Sequence, residues 1–177
     1  MKQFAIYLII AITALSFPSC NSQKLAPLKK GDSIPHFELL NEQNKLVKIQ
    51  ELIGHQNIVI YFYPKDDTPG CTKEACKFRD EFEDFKHLNA IVIGISSDSP
   101  KSHLAFKEKY NLPFTLLSDE KNTVRDLFGV QASYMGLVPG RVTYVVDKDG
   151  IIQHVFNAMS NAEKHVEEAK RVLNKLK

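Results

Sequence analysis

Charge of one sign is what this sequence has least of. Its 23 basic side chains are nearly matched by 21 acidic ones, for a formal charge of +2, and lysines alternate with acids along the chain. Neutralising a phosphate backbone takes a basic face or stripe, so nucleic-acid binding is excluded. Small or neutral partners fit this balance. Long apolar runs are missing as well. The longest, Phe4 to Phe17, is interrupted by Thr13 and Ser16 and falls short of the ~20 residues that a membrane span needs. There is no internal repeat and no low-complexity tract. Metal-ligand patterns are absent too: His55, His87 and His103 are scattered without ligand-like pairing and read as surface residues, so neither a metal nor another cofactor is expected. The stretch Asp147 to Gly150 begins like a calcium loop. Its twelfth position, which would have to supply a bidentate acid, is Ala158, and the stretch reads as a hairpin turn.

What is present suffices for one globular domain. The 177 residues, 44% of them hydrophobic, can bury a proper core. The first segment stands apart. Residues 1–19, with Lys2 ahead of the apolar run and the polar "PSCNSQK" around its end, have the length and flanks of a secretory signal. Export is therefore expected, to the periplasm or to a membrane surface. Cys20 follows the small Ser19, and the segment resembles a bacterial lipoprotein signal in which such a cysteine carries the lipid. Ordinary cleavage is the alternative, since Phe17 and Pro18 depart from that pattern. Residues 20–28 then form a polar tether and residues 29–177 the domain, with the membrane reached only through the lipid.

Strands alternate with helices along the domain. "HFELLNEQNKLVKI" reads as an N-terminal hairpin turning at Asn41 to Asn44, and "NIVIYFY" from Asn57 as a strand buried on both faces. A helix follows at once. Next come the strand "AIVIGIS", a helix with Ser99 as N-cap and Pro100 in first position, a strand near Phe114 to Leu117 and a short helix near Asn122 to Phe128. A hairpin over "RVTYVVDKDGIIQHVFN", turning at Asp149 and Gly150, precedes a terminal amphipathic helix with Ala162, Val166, Ala169, Val172, Leu173 and Leu176 on one side. The fold class is α/β, a central mixed sheet flanked by helices.

Two of the three cysteines lie five residues apart in "YPKDDTPGCTKEAC". At 100° per residue, Ala75, Phe78, Phe82 and Phe85 fall within about 40° of Cys71, so Cys71 faces the protein body, while Cys76 lies about 140° around the helix on a polar face. In an intact helix the two Cα atoms stand about 8.6 Å apart, whereas a disulfide needs roughly 4.4–6.8 Å. The pair can bond only if a turn unwinds, which suits a redox switch better than a structural bridge. Cys71 also sits at the helix N-terminus, where first-turn N–H groups and the dipole favour a thiolate. Spacing alone leaves a buried, unreactive cysteine open.

The residues Pro64, Thr68, Cys71 and Glu74 match the Pro-x-x-x-Thr-x-x-Cys-x-x-Glu pattern of the peroxiredoxins, which this sequence resembles. With the cysteine at 76 and "SSDSPKSHLAFKEKYNLPFTLLSDEKNTVRDLFGV", it is similar to the bacterioferritin comigratory protein or peroxiredoxin Q subfamily from about Leu28 onward. The resemblance implies a thioredoxin-like fold and a thiol-dependent peroxidase. Cys71 would attack hydrogen peroxide or an organic hydroperoxide, and Cys76 would resolve the sulfenic acid as an intramolecular disulfide. Thr68 would hydrogen-bond the peroxide, and Arg141 in "GRVTYVVD" would stabilise the thiolate and the transition state. Glu74 would hold Arg141, and Pro64 would shield the sulfur. Bottom-up, an arginine opening a strand is ordinarily a surface residue. A monomer recharged by a thioredoxin-like donor is expected. Two other classes compete: an exported thiol–disulfide oxidoreductase, whose reactive cysteines are normally separated by two residues, and a metal module, which the scattered histidines disfavour.

Overall fold

The computed structural model describes residues 26–133 and 135–176; the expected signal segment and Cys20 lie outside the described residues. The centre of the molecule is β3 (Asn57–Phe62). Its side chains alternate between two apolar layers: Val59, Tyr61 and the following Tyr63 point to one face of the sheet, Ile58, Ile60 and Phe62 to the other. Both faces are buried, which is why the sequence here is an apolar run with no polar alternation. β3 pairs in parallel with β4 (Ala90–Ser96) and antiparallel with β6 (Val142–Val146). The remaining strands are β1 (Glu38–Asn41), β2 (Leu46–Lys48), β5 (Thr115–Ser118) and β7 (Ile152–Asn157), giving one mixed sheet in the order β2-β1-β5-β4-β3-β6-β7.

Four helices cover the face that bears Tyr61: α1 (Pro69–Asp80), α2 (Phe82–His87), α3 (Pro100–Tyr110) and α5 (Ala162–Leu173). α4 (Thr123–Leu127) and the 3-10 turn Ile49–Glu51 cover the other. Caps set several boundaries. Ser99 accepts the Ser102 N–H and Pro100 opens α3, while left-handed Asn111 ends it. In the β6–β7 hairpin Asp147 accepts the N–H groups of Asp149 and Ile151, and Gly150 supplies φ 81°. α5 buries Ala162, Val166, Ala169, Val172 and Leu173, as its periodicity predicts.

Three expectations are corrected. The stripe from Cys71 to Phe85 is split between two helices, because Glu81 leaves helical geometry at φ −106°, ψ 14°. With no proline or glycine at the break, ion pairs of Glu81 to Lys77 and to Lys170 (2.7 Å) hold it. Phe78 and Phe85 nonetheless stay packed at 5.5 Å between ring centroids. The expected tether at 20–28 is folded at its end, where the Leu28 N–H donates to the Phe128 carbonyl at 3.1 Å. Histidine is the third: His55 and His87 are exposed, but His103 is fully buried on the inner side of α3.

Gly94 shows how tightly the central layer is packed. It lies opposite Tyr61 across β3 and β4, and a Cβ there would stand 2.7 Å from Tyr61 Cζ and 2.8 Å from Leu116 Cδ2. Both neighbours are core side chains with at most 1% exposure. Gly94→Ala is therefore expected to destabilise the fold by about 1–3 kcal/mol, read as a lower urea midpoint at unchanged slope; parental stability would mean that Tyr61 has room to swing aside.

Candidate active site

α1 opens after a short connection from the end of β3, and its first turn carries the site. Thr68 is the N-cap residue, with extended backbone (ψ 149°), and Pro69 occupies the first position. No side chain caps this end; the Thr68 hydroxyl turns back to donate to the Lys65 carbonyl at 3.0 Å. The helix start thus keeps its N–H groups and positive dipole end for an anion. Gly70 lets a guanidinium come close, since a Cβ there would sit 3.3 Å from Arg141 Nη2.

Cys71 is buried at 2% exposure, and Arg141 Nη2 donates to its Sγ at 3.3 Å. Arg141 Nη1 donates to Glu74 Oε2, one turn along α1 from Cys71. Sequence spacing of 70 and 67 residues is closed by strand register: Phe62 pairs with Val142, so the end of β3 and the start of β6 lie side by side. Burial opposes the Arg141 charge, but Glu74 and Cys71 outweigh it and hold the group above its ordinary value. Burial pushes Glu74 up to about 8 although Arg141 pulls it down. Glu74 Oε1 is buried without a hydrogen-bond partner among the described residues. Pro64 and Thr68 are half-buried on the segment leading into α1. Cys76 lies within the same helix, half-buried, and both cysteines are free thiols. It also adds to the charge-favouring surroundings of Arg79, which Asp80 chiefly sets.

A second guanidinium supports the first, and sequence reasoning missed it. Arg125 of α4, 6% exposed, donates from Nη1 to the Gly140 carbonyl at 2.9 Å and from Nη2 to the Tyr63 carbonyl at 3.0 Å. These carbonyls belong to the residues just before Arg141 and Pro64, so Arg125 ties the two strand ends together. Its Cζ lies 5.5 Å from the Phe62 ring centroid. Asp119 fixes the start of α4 by accepting the Val124 and Arg125 N–H groups. The available signal was an arginine flanked by Val124, Leu127 and Phe128 on a short apolar helix.

His165 of α5 was missed as well. Its Nε2 lies 2.8 Å from the Ala158 carbonyl and must carry the proton, which leaves Nδ1 to accept from the Thr143 hydroxyl at 2.8 Å. That bare nitrogen faces Glu74 Oε1 at 3.7 Å. Burial pushes His165 down to about 4, with Arg141 acting in the same sense. The folded state therefore binds fewer protons than the unfolded chain between about 4 and 6.5, and stability present at neutral pH is lost as pH falls through that window. Relative to His165→Gln, which keeps a donor for Ala158, the parent is expected to lose on the order of 3 kcal/mol between pH 7 and pH 4 in urea titrations. Parallel pH curves for the two proteins would mean that His165 does not stay neutral.

With this geometry established, similarity to known proteins can be placed on it. The AhpC/TSA family matches residues 30–155. A chloroplastic peroxiredoxin Q of Populus jackii is 48% identical over 93% of this chain and 78% of its own length, and that of Sedum lineare 48% over 92% and 87%. Among solved structures, peroxidoxin BcpB of Mycobacterium tuberculosis superposes with TM-score 0.79 at 33% identity, covering 85% of this chain and 99% of its own. A cysteine-to-serine mutant of Xylella fastidiosa PrxQ gives 0.75 at 30%, covering 85% and 96%. Both carry the thioredoxin-like arrangement of sheet and helices seen here, and neither favours a thiol–disulfide oxidoreductase. A buried thiol at a helix start, met by an arginine from the neighbouring strand, is thus found in a chain that belongs to the AhpC/TSA family as a peroxiredoxin Q-type thiol peroxidase.

Proposed function

We propose that Cys71 is the peroxide-reacting thiolate and Cys76 its resolving partner. The observation that carries this reading is the Arg141 Nη2 contact on Cys71 Sγ at 3.3 Å, at an uncapped helix N-terminus. The thiolate attacks the terminal oxygen of hydrogen peroxide or an organic hydroperoxide. An S–O bond forms, the O–O bond breaks, and the departing hydroxide or alkoxide takes a proton from solvent to leave as water or an alcohol. Arg141 meets the charge that builds on the oxygens, and Glu74 holds the guanidinium in place. Thr68 turns its hydroxyl from Lys65 to the bound peroxide, and Pro64 keeps water from the sulfur. Once a turn of α1 has unwound, the Cys76 thiolate attacks the sulfenic sulfur, the S–S bond forms and the S–O bond breaks, and the hydroxide takes a proton from solvent to leave as water. A thioredoxin-like dithiol reduces that disulfide. On this reading the enzyme works as a monomer and is exported, either released by ordinary cleavage or held at a membrane by a lipid on Cys20, consistent with the apolar run and small residue before that cysteine.

Two variants and one measurement test the assignment. Cys71→Ser is expected to abolish peroxide reduction, and Arg141→Ala to slow the second-order reaction ten-fold or more, as loss of a donor to developing charge costs ~3 kcal/mol. Full activity in either variant would move the role elsewhere. One equivalent of peroxide is expected to yield a monomer two hydrogens lighter, with faster hydrogen exchange over residues 72–78. A disulfide-linked dimer with an unchanged helix would show that Cys76 does not resolve Cys71.

A further inference from the structure

Pro64 and Thr68 lie on the short connection between β3 and α1. The connection turns through a left-handed Asp67, φ 54°, and has no ladder of its own to hold its shape. Between Pro64 and Thr68 only Asp66 is buried. The Asp66 carboxylate is enclosed by donors: the Tyr63 hydroxyl at 2.7 Å on Oδ1, the Ser102 hydroxyl at 2.8 Å and His103 Nδ1 at 2.9 Å on Oδ2. The Asp66 N–H in turn donates to Asp98 Oδ2 at 2.9 Å, an oxygen that also takes the Ser96 hydroxyl at 2.7 Å.

His103 faces acceptors at both ring nitrogens. Nε2 lies 3.1 Å from the Leu117 carbonyl on β5, and Nδ1 faces the carboxylate. A carbonyl cannot donate, so Nε2 carries a proton. The Tyr63 hydroxyl also lies 3.4 Å from Nδ1, but its proton goes to Asp66 Oδ1 at 2.7 Å, so the shorter 2.9 Å contact between Nδ1 and Oδ2 needs a second proton of its own. A buried carboxylate needs a counter-charge, and among the described residues His103 is the only basic side chain that touches it. Outside, Lys109 and the Tyr110 hydroxyl bind Asp67 at 2.6 Å each, but that pair is about half exposed and contributes little to the placement of the segment. A buried pair is far more costly to break. The inner pair therefore decides where the connection sits.

Building on the thiol-peroxidase reading, we propose that His103, as the imidazolium paired with Asp66, is a positioning residue for peroxide reduction. It locks the connection to α3 and β5 so that Pro64 and Thr68 present one fixed wall to Cys71. It touches neither sulfur nor substrate. Its effect therefore appears in the peroxide reaction and spares the intrinsic reactivity of the thiol, which Arg141 and Glu74 govern from the other side.

The test joins a spectroscopic signature with a kinetic split. In reduced wild-type protein labelled with ¹⁵N-histidine at pH 7, both ring nitrogens of His103 are expected to carry protons, with a slowly exchanging downfield Nδ1 proton that Asp66→Asn removes. A bare Nδ1 overturns the proposal. His103→Asn is expected to slow the second-order peroxide reaction by about ten- to hundred-fold, while alkylation of Cys71 by iodoacetamide changes by about two-fold or less. An unchanged peroxide rate, or an equal loss in both reactions, overturns it. Should His103→Asn fail to fold, Ser102→Ala removes one Asp66 donor and is expected to show the same split in smaller degree. Wild-type protein without peroxide turnover would defeat the thiol-peroxidase reading instead, and the nitrogen spectrum would still decide the state of His103.

Discussion

One guanidinium holds the site together. Arg141 touches the sulfur of Cys71 with one terminal nitrogen and the carboxylate of Glu74 with the other, and all three groups are at most 4% exposed. Neither of the two charged groups would be stable there alone. A buried charge without a partner costs several kcal/mol, so Glu74 depends on Arg141 and Arg141 on Glu74. The sulfur is added to a pair that already exists. This constraint explains the surrounding construction. Antiparallel register delivers residue 141 to the end of β3, Gly70 leaves room for the guanidinium, and Arg125 binds the carbonyls just before each strand end joins the site.

The two sides of Cys71 are anchored to different parts of the molecule. On one side, Pro64 and Thr68 belong through Asp66 to α3 and the end of β5. On the other, Glu74 and Cys76 ride on α1, which packs against α5 and is tied to it near its start by the exposed Lys73–Glu163 pair at 3.0 Å. Such a surface pair resists motion weakly. The connection that must stay still is thus anchored through Asp66 to α3 and β5, whereas the turn that the proposed disulfide requires to move is held by the buried Glu74–Arg141 pair and the exposed Lys73–Glu163 pair.

Most of the architecture was legible because burial on two faces leaves a simple mark. The apolar run of β3, the Ser99–Pro100 start of α3 and the periodicity of α5 each follow from one local rule. The break at Glu81 was not legible, since it rests on ion pairs to Lys77 and to the distant Lys170. Arg141 was legible only through resemblance, because an arginine opening a strand looks the same whether its partner is water or a thiol. α3 misled in a more instructive way. The sequence reads His103 as a surface residue, yet it is fully buried, while its neighbour Leu104 is 37% exposed. The spacing of His103 with Phe106 contained the correct face, and only the buried carboxylate across the gap, far away in sequence, makes a histidine the right occupant.

Glu74 lies between the two cysteines in sequence, and this position links chemistry to conformation. Joining Cys71 to Cys76 requires the turn containing Glu74 to leave helical geometry, since an intact turn holds their Cα atoms about 8.6 Å apart. That movement withdraws the carboxylate from Arg141. The guanidinium then loses the partner that orients it at the moment when the sulfur no longer carries a charge to stabilise. Unwinding therefore dismantles the anion site together with the nucleophile. Reduction must restore both, since the Arg141–Glu74 contact exists only when the helix is whole. A resolving cysteine outside this turn could form a disulfide and leave the charged pair intact. On the proposed assignment, a resolving cysteine at position 76 couples the redox state of the sulfur to the assembly of the site around it.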